Sequence, residues 1–197
     1  MRFERGYFAD GELSNYRDYT KKKYGQLCED LISLGIDREE TIIDFGCATG
    51  KLVHEFYTRG YCNIRGTDIS WWAIREGRRL YNFDARILQY LNYGLLENGA
   101  DWILALDVFE HIGDEELENI LSIMNCKCLV VRVPVSAQEG QPYVLDVSRN
   151  DQTHVQCHTK AWWINLLDRK FSFAGPIRKK AIYDSEGVFA GVFQCAQ

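Results

Sequence analysis

Residues 41–56, TIIDFGCATGKLVHEF, carry the strongest fold signal in the chain. A run of β-branched residues predicts a short buried strand, and two glycines, Gly46 and Gly50, predict a tight turn after it. The apolar spacing beyond the turn predicts a helix over residues 51–58. Because glycine lets the backbone turn sharply and approach a ligand closely, this succession indicates a ligand-binding α/β unit.

Strands and helices continue to alternate along the rest of the chain. Such alternation predicts right-handed βαβ units and a largely parallel sheet. We therefore expect an α/β, Rossmann-like three-layer sandwich, with a mostly parallel seven-stranded sheet and a C-terminal antiparallel hairpin. The predicted helices are 16–34, 51–58, 70–80 with Ser70 as its N-cap, one that begins with Asp114 as its cap and one that Thr159 caps. The predicted strands are 41–45, 63–69, 85–90, 101–108, 128–135, 177–183 and 187–194.

Length and composition restrict the classes of function. A chain of 197 residues suits a single domain, and its net charge of −5 argues against a broad phosphate-binding surface, so we expect no nucleic-acid partner. No apolar run approaches the length of a transmembrane helix, so we expect no membrane insertion. Seven cysteines, several of them within apolar runs, indicate buried thiols in a reducing, cytoplasmic compartment. The sequence leaves a homodimer open.

Two acidic residues indicate which ligand the turn receives. Dinucleotide-binding proteins carry G-x-G-x-x-G at this place, but Ala48 and Lys51 replace the second and third glycines. Asp44 would repel a diphosphate, whereas it would attract an ammonium group of a ligand. Asp68 ends the next predicted strand, where a carboxylate can accept both hydroxyl protons of a ribose. A ligand with a ribose, a cationic amine and no phosphate is S-adenosylmethionine.

Three motifs occur in order along the chain: DFGCATG at residues 44–50, GTDIS at 66–70 and DVFEHI at 107–112. This set resembles the class I S-adenosylmethionine-dependent methyltransferases, in particular their small UbiG-like branch. The usual first motif of the family is D-x-G-C-G-T-G, so the chain departs from it at Ala48, where we expect a negative φ to accommodate the methyl group. The resemblance implies that the cofactor is bound by Asp44, Gly46, Cys47, Ala48, Gly50, Asp68, Ile69, Leu91, Asn92 and Asp107.

The resemblance also implies catalytic residues. It places a histidine like His154 in a loop over the substrate mouth, and histidine is a suitable base near neutral pH for a hydroxyl that loses its proton. Asp107 would lie beside the reacting centre, and His111 is the third catalytic candidate. The alternative interpretation of the histidines is that they pack against neighbours or fix a loop.

A metal ion is a separate question at the DVFEHI motif. Some UbiG-like enzymes of quinone pathways bind magnesium with an E-x-x-E-H set, whose first Glu is replaced here by Asp107. Because magnesium prefers hard oxygen ligands to imidazole, we expect no metal at Asp107, Glu110 and His111, and magnesium stays the alternative. His154 and His158 have the H-x-x-x-H spacing of a zinc site, but Thr159 is expected to begin a helix after them.

These residues predict an enzyme that moves a methyl group to a small-molecule acceptor, most readily a hydroxyl. The sequence lacks the [DNS]-P-P-[YFW] motif for nucleobase amines and the Pro-Cys nucleophile for cytosine. Two alternatives are a catalytically silent, cofactor-binding partner subunit and a nicotinamide-dependent oxidoreductase. Arg132 and Arg149 would bind an anionic group of the substrate or form salt bridges within the protein. We expect one methyltransferase domain over 1–197, with an N-terminal helical cap or lid at 1–40 and the cofactor-binding core at 41–197.

Overall fold

A computed structural model describes residues 3–10 and 21–195 and contains one seven-stranded sheet. The strands are β1 Ile42–Phe45, β2 Ile64–Asp68, β3 Leu88–Tyr90, β4 Ala100–Leu106, β5 Cys126–Pro134, β6 Phe171–Pro176 and β7 Val188–Cys195. Their spatial order is β3-β2-β1-β4-β5-β7-β6. The first five strands run parallel, and β7 is antiparallel to both of its neighbours. The predicted α/β sheet with antiparallel C-terminal strands is confirmed.

Helices cover both faces of the sheet. They are α1 Lys21–Ile32, α2 Lys51–Thr58, α3 Trp71–Tyr81, α4 Gly94–Glu97, α5 Asp114–Ile123, α6 Asp146–Asn150 and α7 Lys160–Leu167. Residues of α1, α2 and α3 form one hydrophobic core, and residues of α4, α5 and α7 form a second. Phe56 of the first core and Trp163 of the second are fully buried. The two cores give the three layers that the alternating pattern predicts.

The register of the strands places three carboxyl ends at one edge of the sheet. In β1, Asp44 is level with Gly66 of β2 and with Leu104 of β4. The chain leaves β1 toward β2 and β3 and then returns to the other side of β1 as β4. Parallel sheets bind ligands where the strand order reverses in this way, beyond the carboxyl ends of the strands.

Local signals in the sequence set several boundaries as predicted. The helix α2 has the predicted bounds, 51–58. The Ser70 hydroxyl accepts a hydrogen bond from the backbone N–H of Ala73 at 3.0 Å, and the Thr159 hydroxyl accepts one from Trp162 at 3.2 Å. Both residues therefore cap their helices, because each satisfies an N–H group that the helix itself leaves without a partner.

The C-terminal hairpin differs from the prediction. Residues 177–183 do not form a strand: the partner of β7 is Phe171–Pro176, and residues 177–187 make an irregular connection between the two strands. Ile177 and Ile182 are buried against the first core from this connection. Their burial accounts for the apolar pattern that resembled a strand, because a loop that fills a core shows the same residue types.

The start of α5 is the second correction. Asp114 is the first residue of this helix, and Gly113 takes the N-cap position. The carboxylate of Asp114 instead accepts a hydrogen bond from Nε2 of Gln156 at 2.6 Å. A long-range contact thus replaces the local cap.

The predicted helix over 16–34 is seen from Lys21 to Ile32, and its predicted residues 16–20 lie outside the described part of the chain. All seven cysteines are free thiols. Within residues 3–10 and 21–195, no helix combines the length and the apolar composition that crossing a bilayer requires.

Candidate active site

A cavity of about 730 Å³ opens at the carboxyl edge of the sheet. The ends of β1, β2, β4 and β5 contribute lining residues to it, among them Asp44, Asp68, Asp107 and Arg132. Loops and the short helical segment Gly6–Asp10 contribute the remaining wall. The cavity therefore lies at the edge where the sheet topology predicts a ligand.

The carboxylates of Asp44 and Asp68 are buried at the ends of β1 and β2. Burial, and then the negative charge of Asp68, raise the pKa of Asp44 from its usual range to about 7. Burial also raises the pKa of Asp68 to about 6, although hydrogen bonds from two backbone N–H groups oppose that rise. Two desolvated carboxylates so close together favour a cationic group between or beside them. A cation offsets the free-energy cost of burying the two negative charges and reduces their mutual repulsion.

The glycine-containing turn fixes Asp68 from the other side. The backbone N–H of Ala48 donates to Oδ2 of Asp68 at 2.7 Å, and the N–H of Ser70 donates to Oδ1 at 2.7 Å. Gly46 has φ +78°, and a Cβ atom on it would lie 2.3 Å from a methyl group of Val108, so any other residue there would be strained and would displace Val108. The turn and the start of α3 together hold the Asp68 carboxylate in one orientation.

Ala48 contradicts the expectation of a negative φ. Its φ is +50°, in the left-handed region that favours glycine. This conformation accompanies the hydrogen bond from its N–H to Asp68. Leu91 and Asp107 also have positive φ values, and all three residues line the cavity. Strained backbone of this kind is concentrated at ligand sites in proteins.

The cavity brings together most of the predicted cofactor-binding residues. Gly50 and Asn92 lie outside its lining: Gly50 is the left-handed N-cap of α2, and the Asn92 side chain accepts a hydrogen bond from the N–H of Gly94. The predicted residues that line the cavity are Asp44, Gly46, Cys47, Ala48, Asp68, Ile69, Leu91 and Asp107.

Asp107 and Arg132 form a two-point ion pair at the ends of β4 and β5. Nε of Arg132 donates to Oδ1 of Asp107 at 2.9 Å, and a terminal nitrogen of Arg132 donates to Oδ2. Of the two alternatives for Arg132, the structure shows the salt bridge within the protein. Arg149 likewise bonds within the chain, to the carbonyl oxygen of Tyr143 and to Asp146.

Glu110, His111 and His154 form a second polar cluster in the cavity wall. Glu110 and His111 belong to a helical turn after β4, Phe109–His111, and His154 belongs to the loop after α6. The rings of His111 and His154 lie 4.7 Å apart between centroids. Burial, and then the neighbouring His154, lower the pKa of His111 to about 4, and burial also lowers the pKa of His154. Both imidazoles are therefore neutral at pH 7.

Hydrogen bonds assign the tautomers of both histidines. The Thr153 hydroxyl donates its hydrogen bond to Oδ1 of Asp151 at 2.5 Å. The Thr153 oxygen can therefore only accept a hydrogen bond from His111, whose Nδ1–H donates to it at 2.9 Å. Nδ1 of His154 donates to the carbonyl oxygen of Ser148 at 3.0 Å. In each neutral ring Nδ1 thus carries the proton and Nε2 does not; Nε2 of His154 lies 3.7 Å from Oδ2 of Asp151, and Nε2 of His111 lies 4.0 Å from Oε1 of Glu110.

Sequence reasoning missed the residues that support this cluster. Asp151, Thr153 and Ser148 orient the two imidazoles, and Tyr7 places its ring 6.4 Å from that of His111 and its hydroxyl 3.4 Å from Asp151. The segment DQTH contains an acid and a hydroxyl just before His154, which was the available signal. The expected N-terminal cap or lid at 1–40 includes Tyr7, but the sequence does not predict the contact of Tyr7 with His111.

Residues 42–126 match the family model described as Methyltransferase domain. No curated protein sequence matches the chain. Among solved structures, a Haloferax volcanii complex of the Trm112 methyltransferase activator and a putative methyltransferase has 13% identity and a TM-score of 0.70, covering 98% of this chain and 97% of that one. The magnesium protoporphyrin IX methyltransferase ChlM of Synechocystis PCC 6803, with bound SAH, has 17% identity and a TM-score of 0.64, covering 98% and 92%.

A third solved structure, the methyltransferase domain of bacterial CtHen1-C, has 16% identity and a TM-score of 0.61, covering 90% of this chain and 98% of that one. At such identities these structures establish the common fold. The family match over residues 42–126 and the common fold both support a class I S-adenosylmethionine-dependent methyltransferase. The matched region runs from the start of β1 to the start of β5, so it includes Asp44, Asp68 and the DVFEHI motif.

Proposed function

We propose that the chain transfers the methyl group of S-adenosylmethionine to a hydroxyl group of a small, uncharged acceptor. The observation that carries this proposal is a single cavity whose wall contains two buried carboxylates, Asp44 and Asp68, and two neutral imidazoles, His111 and His154. The carboxylates suit the cationic cofactor. The imidazoles suit an acceptor that must lose a proton.

The cofactor would lie across the ends of β1 and β2. Asp44 would attract the ammonium group of its methionine part, and the absence of a side chain at Gly46 would let it approach the backbone. Each oxygen of Asp68 accepts one backbone N–H and keeps a lone pair for a ribose hydroxyl. Ile69 and Leu91 are apolar, are 49% and 41% exposed, and line the cavity, so they would pack on the adenine ring.

The acceptor would lie between the cofactor and the second polar cluster. Leu145, Val147, Tyr183 and Val188 give that part of the wall an apolar character. Within the described residues, Arg132 is the single Lys or Arg in the lining, and it is paired with Asp107. This charge balance supports an uncharged acceptor over a phosphorylated one, and hence a small molecule over a nucleic acid.

His154 is the proposed proton acceptor. The acceptor oxygen would attack the methyl carbon as the carbon–sulfur bond breaks, which leaves S-adenosylhomocysteine, and the hydroxyl proton would pass to Nε2 of His154. Alignment of the reacting atoms can supply about 7–11 kcal/mol of the barrier in ideal cases. A positioned base adds roughly 10²–10⁴-fold to the rate. The ion pair with Arg132 would keep the Asp107 side chain beside the reacting atoms.

The N-terminal segment Gly6–Asp10 is the proposed lid of this single domain. Tyr7 and Phe8 line the cavity, and the ring of Phe8 stacks at 6.0 Å on that of Trp72 in α3. The Tyr7 hydroxyl donates a hydrogen bond to Asp151, which supports the second polar cluster. A lid over both ends of the cavity would exclude water during transfer.

The test is a turnover assay with methyl-labelled S-adenosylmethionine and matched panels of small hydroxyl compounds and amines. We expect label in one or more hydroxyl compounds and in none of the matched amines. A thermal-shift measurement on the same protein separates the alternatives. Stabilisation by S-adenosylhomocysteine without transfer to either panel would favour a silent subunit, and stabilisation by NAD alone would contradict the assignment.

A further inference from the structure

The loop that carries His154 spans residues 151–158 and belongs to no helix or strand. Its position beside the reacting centre therefore depends on individual contacts. The backbone N–H groups of Val155 and Gln156 both donate to the carbonyl oxygen of Glu110, at 2.7 and 3.1 Å. These bonds join the loop to the helical turn after β4, and the side chain of Gln156 extends the same junction.

Gln156 is 2% exposed, and both ends of its side-chain amide are bonded within the protein. Nε2 donates to the carbonyl oxygen of Ile112 at 3.0 Å and to Oδ1 of Asp114 at 2.6 Å. A carbonyl oxygen and a carboxylate can only accept, so these partners fix which end of the amide carries the hydrogens. Oε1 then accepts the proton on Nε2 of His158, at 3.0 Å. One buried amide thus connects the end of the turn, the start of α5 and the far end of the loop.

Two residues anchor Gln156 to the rest of the protein. The His158 ring stacks on that of Trp162 in α7, with 3.6 Å between centroids. The hydroxyl of the buried Tyr143 donates to the carbonyl oxygen of Gln156 at 2.5 Å. The ring of Tyr143 also lies edge-on to that of His154, at 5.2 Å between centroids. Tyr143 therefore contacts both the residue that fastens the loop and the imidazole that the loop presents.

We propose that Gln156 is a positioning residue that holds Nε2 of His154 at the reacting centre. This inference rests on the proposed methyl transfer, in which His154 accepts the hydroxyl proton. Gln156 lies outside the lining of the cavity, so it acts through the position of the loop and not by touching the substrate. Because a misplacement of about 1 Å can lower a rate by roughly 10²-fold, the loss of one amide close to the base should be measurable.

The substitution Gln156→Met isolates the amide. Methionine has nearly the same length and volume as glutamine, but it lacks the two N–H donors and the carbonyl acceptor. The backbone bonds from the loop to Glu110 remain, so we expect the loop to shift and not to detach. Asp44 and Asp68 are unchanged, so affinity for S-adenosylhomocysteine should stay at the wild-type value.

The experiment is a double-mutant cycle on the full chain with Gln156→Met and His154→Asn. Turnover is measured with methyl-labelled S-adenosylmethionine and a hydroxyl compound that the wild type methylates. We expect Gln156→Met alone to lower kcat by roughly 10- to 100-fold and to leave the KM for S-adenosylmethionine unchanged. In the His154→Asn background it should cause no further loss, because its effect passes through His154. Gln26→Met, which removes the same amide from α1 outside the cavity, should keep the wild-type kcat.

Losses that multiply in the double variant would overturn the inference, because Gln156 would then act independently of His154. A wild-type kcat for Gln156→Met would overturn it as well. Binding of S-adenosylhomocysteine shows which variants are folded. If Gln156→Met is not, Tyr143→Phe decides, since it removes one bond to Gln156 and should lower kcat by about three- to tenfold. That loss should also be absent in the His154→Asn background, and its persistence there would count against the positioning role.

NMR signals of the His154 imidazole, assigned by their loss in His154→Asn, separate this inference from the proposed function. Gln156→Met should shift these signals and Gln26→Met should not, whether or not a hydroxyl compound is methylated. Unchanged His154 signals in Gln156→Met would overturn the positioning role. Absence of turnover by the wild type would contradict the proposed function, whereas shifted signals would still support the placement of His154 by Gln156.

Discussion

Two groups of ionisable side chains face one cavity, and the protein supports them differently. The Asp68 carboxylate accepts hydrogen bonds from backbone N–H groups of the turn and of the start of α3. The local sequence predicts the positions of both the turn and this helix start. Glu110 has an oxygen without a partner in the described chain, and its neighbour His154 comes from a loop beyond β5. The cofactor end is built into the sheet, whereas the acceptor end is assembled from separate segments. Changes at the acceptor end should therefore affect catalysis without affecting cofactor binding.

The largest expected effect is at His154. His154→Asn removes the proposed proton acceptor, so we expect turnover to fall by roughly 10²–10⁴-fold. Affinity for S-adenosylhomocysteine should stay at the wild-type value, because Asp44 and Asp68 are unchanged. Steady-state kinetics with calorimetry measure the two quantities, and His54→Asn is the matched control. A variant that keeps full turnover would exclude His154 from the reaction.

The cofactor end should respond to pH. The pKa of Asp44 is raised to about 7, so its carboxylate is ionised above that pH and becomes protonated as the pH falls. Since only the ionised form attracts a cation, the dissociation constant of S-adenosylhomocysteine should rise by up to about tenfold per pH unit below 7. Asp68 adds to this loss below about pH 6.

Calorimetry from pH 5.5 to 8.5 measures this dependence. The variant Asp44→Asn should bind S-adenosylhomocysteine weakly, and its dissociation constant should change little between pH 7 and 8.5. A wild-type affinity that is flat from pH 5.5 to 8.5 would contradict the role of these carboxylates.

Gly77 of α3 tests how far the cofactor end depends on close packing. A Cβ atom at this position would lie 2.2 Å from the carbonyl oxygen of Thr49, so Gly77→Ala must displace the turn. We expect a loss of stability of about 1–3 kcal/mol and weaker binding of S-adenosylhomocysteine. Denaturant unfolding measures the stability, and Gly113→Ala, which meets no atom within 4 Å, is the control. Equal stability of the two variants would count against this contact.

The smallest effect is expected at Ala48. Ala48→Gly relieves a left-handed conformation, so it should raise the free energy of unfolding by about 1 kcal/mol. Ala73→Gly, in the buried face of α3, should lower it by a similar amount because glycine weakens a helix. Thermal unfolding distinguishes the two signs. Destabilisation by Ala48→Gly would show that the methyl group contributes packing that outweighs the strain.

The sequence predicts the regular part of the molecule well for a physical reason. Strand β1, the turn and helix α2 are specified by adjacent residues, and the caps Ser70 and Thr159 each accept from an N–H group three positions further along the chain. The C-terminal strands were harder, since Ile177 and Ile182 enter the core from a loop. The positive φ of Ala48 was missed because it accompanies a hydrogen bond to a residue of another strand.

In the candidate active site too, features set by neighbouring residues were predictable, and features set by contacts between distant segments were not. Asp44 and Asp68 could be selected because each lies in the last two residues of a strand, and parallel strands bring their ends together. His154 could be selected as a candidate, but its meeting with Glu110 and His111 depends on how the loop after α6 packs. Its support by Ser148, Thr153 and Asp151 likewise consists of contacts within an irregular segment, for which no sequence periodicity exists.

The central claim is that two buried carboxylates at neighbouring strand ends recognise the adenosyl amino acid. Calorimetric titration of the double variant Asp44→Asn with Asp68→Ala against S-adenosylhomocysteine tests it most directly. Charged hydrogen bonds are worth about 1.5–3 kcal/mol each, so we predict a loss of affinity of at least roughly 100-fold. The surface variant Glu118→Gln with Asp84→Asn should bind as the wild type does. A double variant of Asp44 and Asp68 that is folded and binds within twofold of the wild type would contradict the claim.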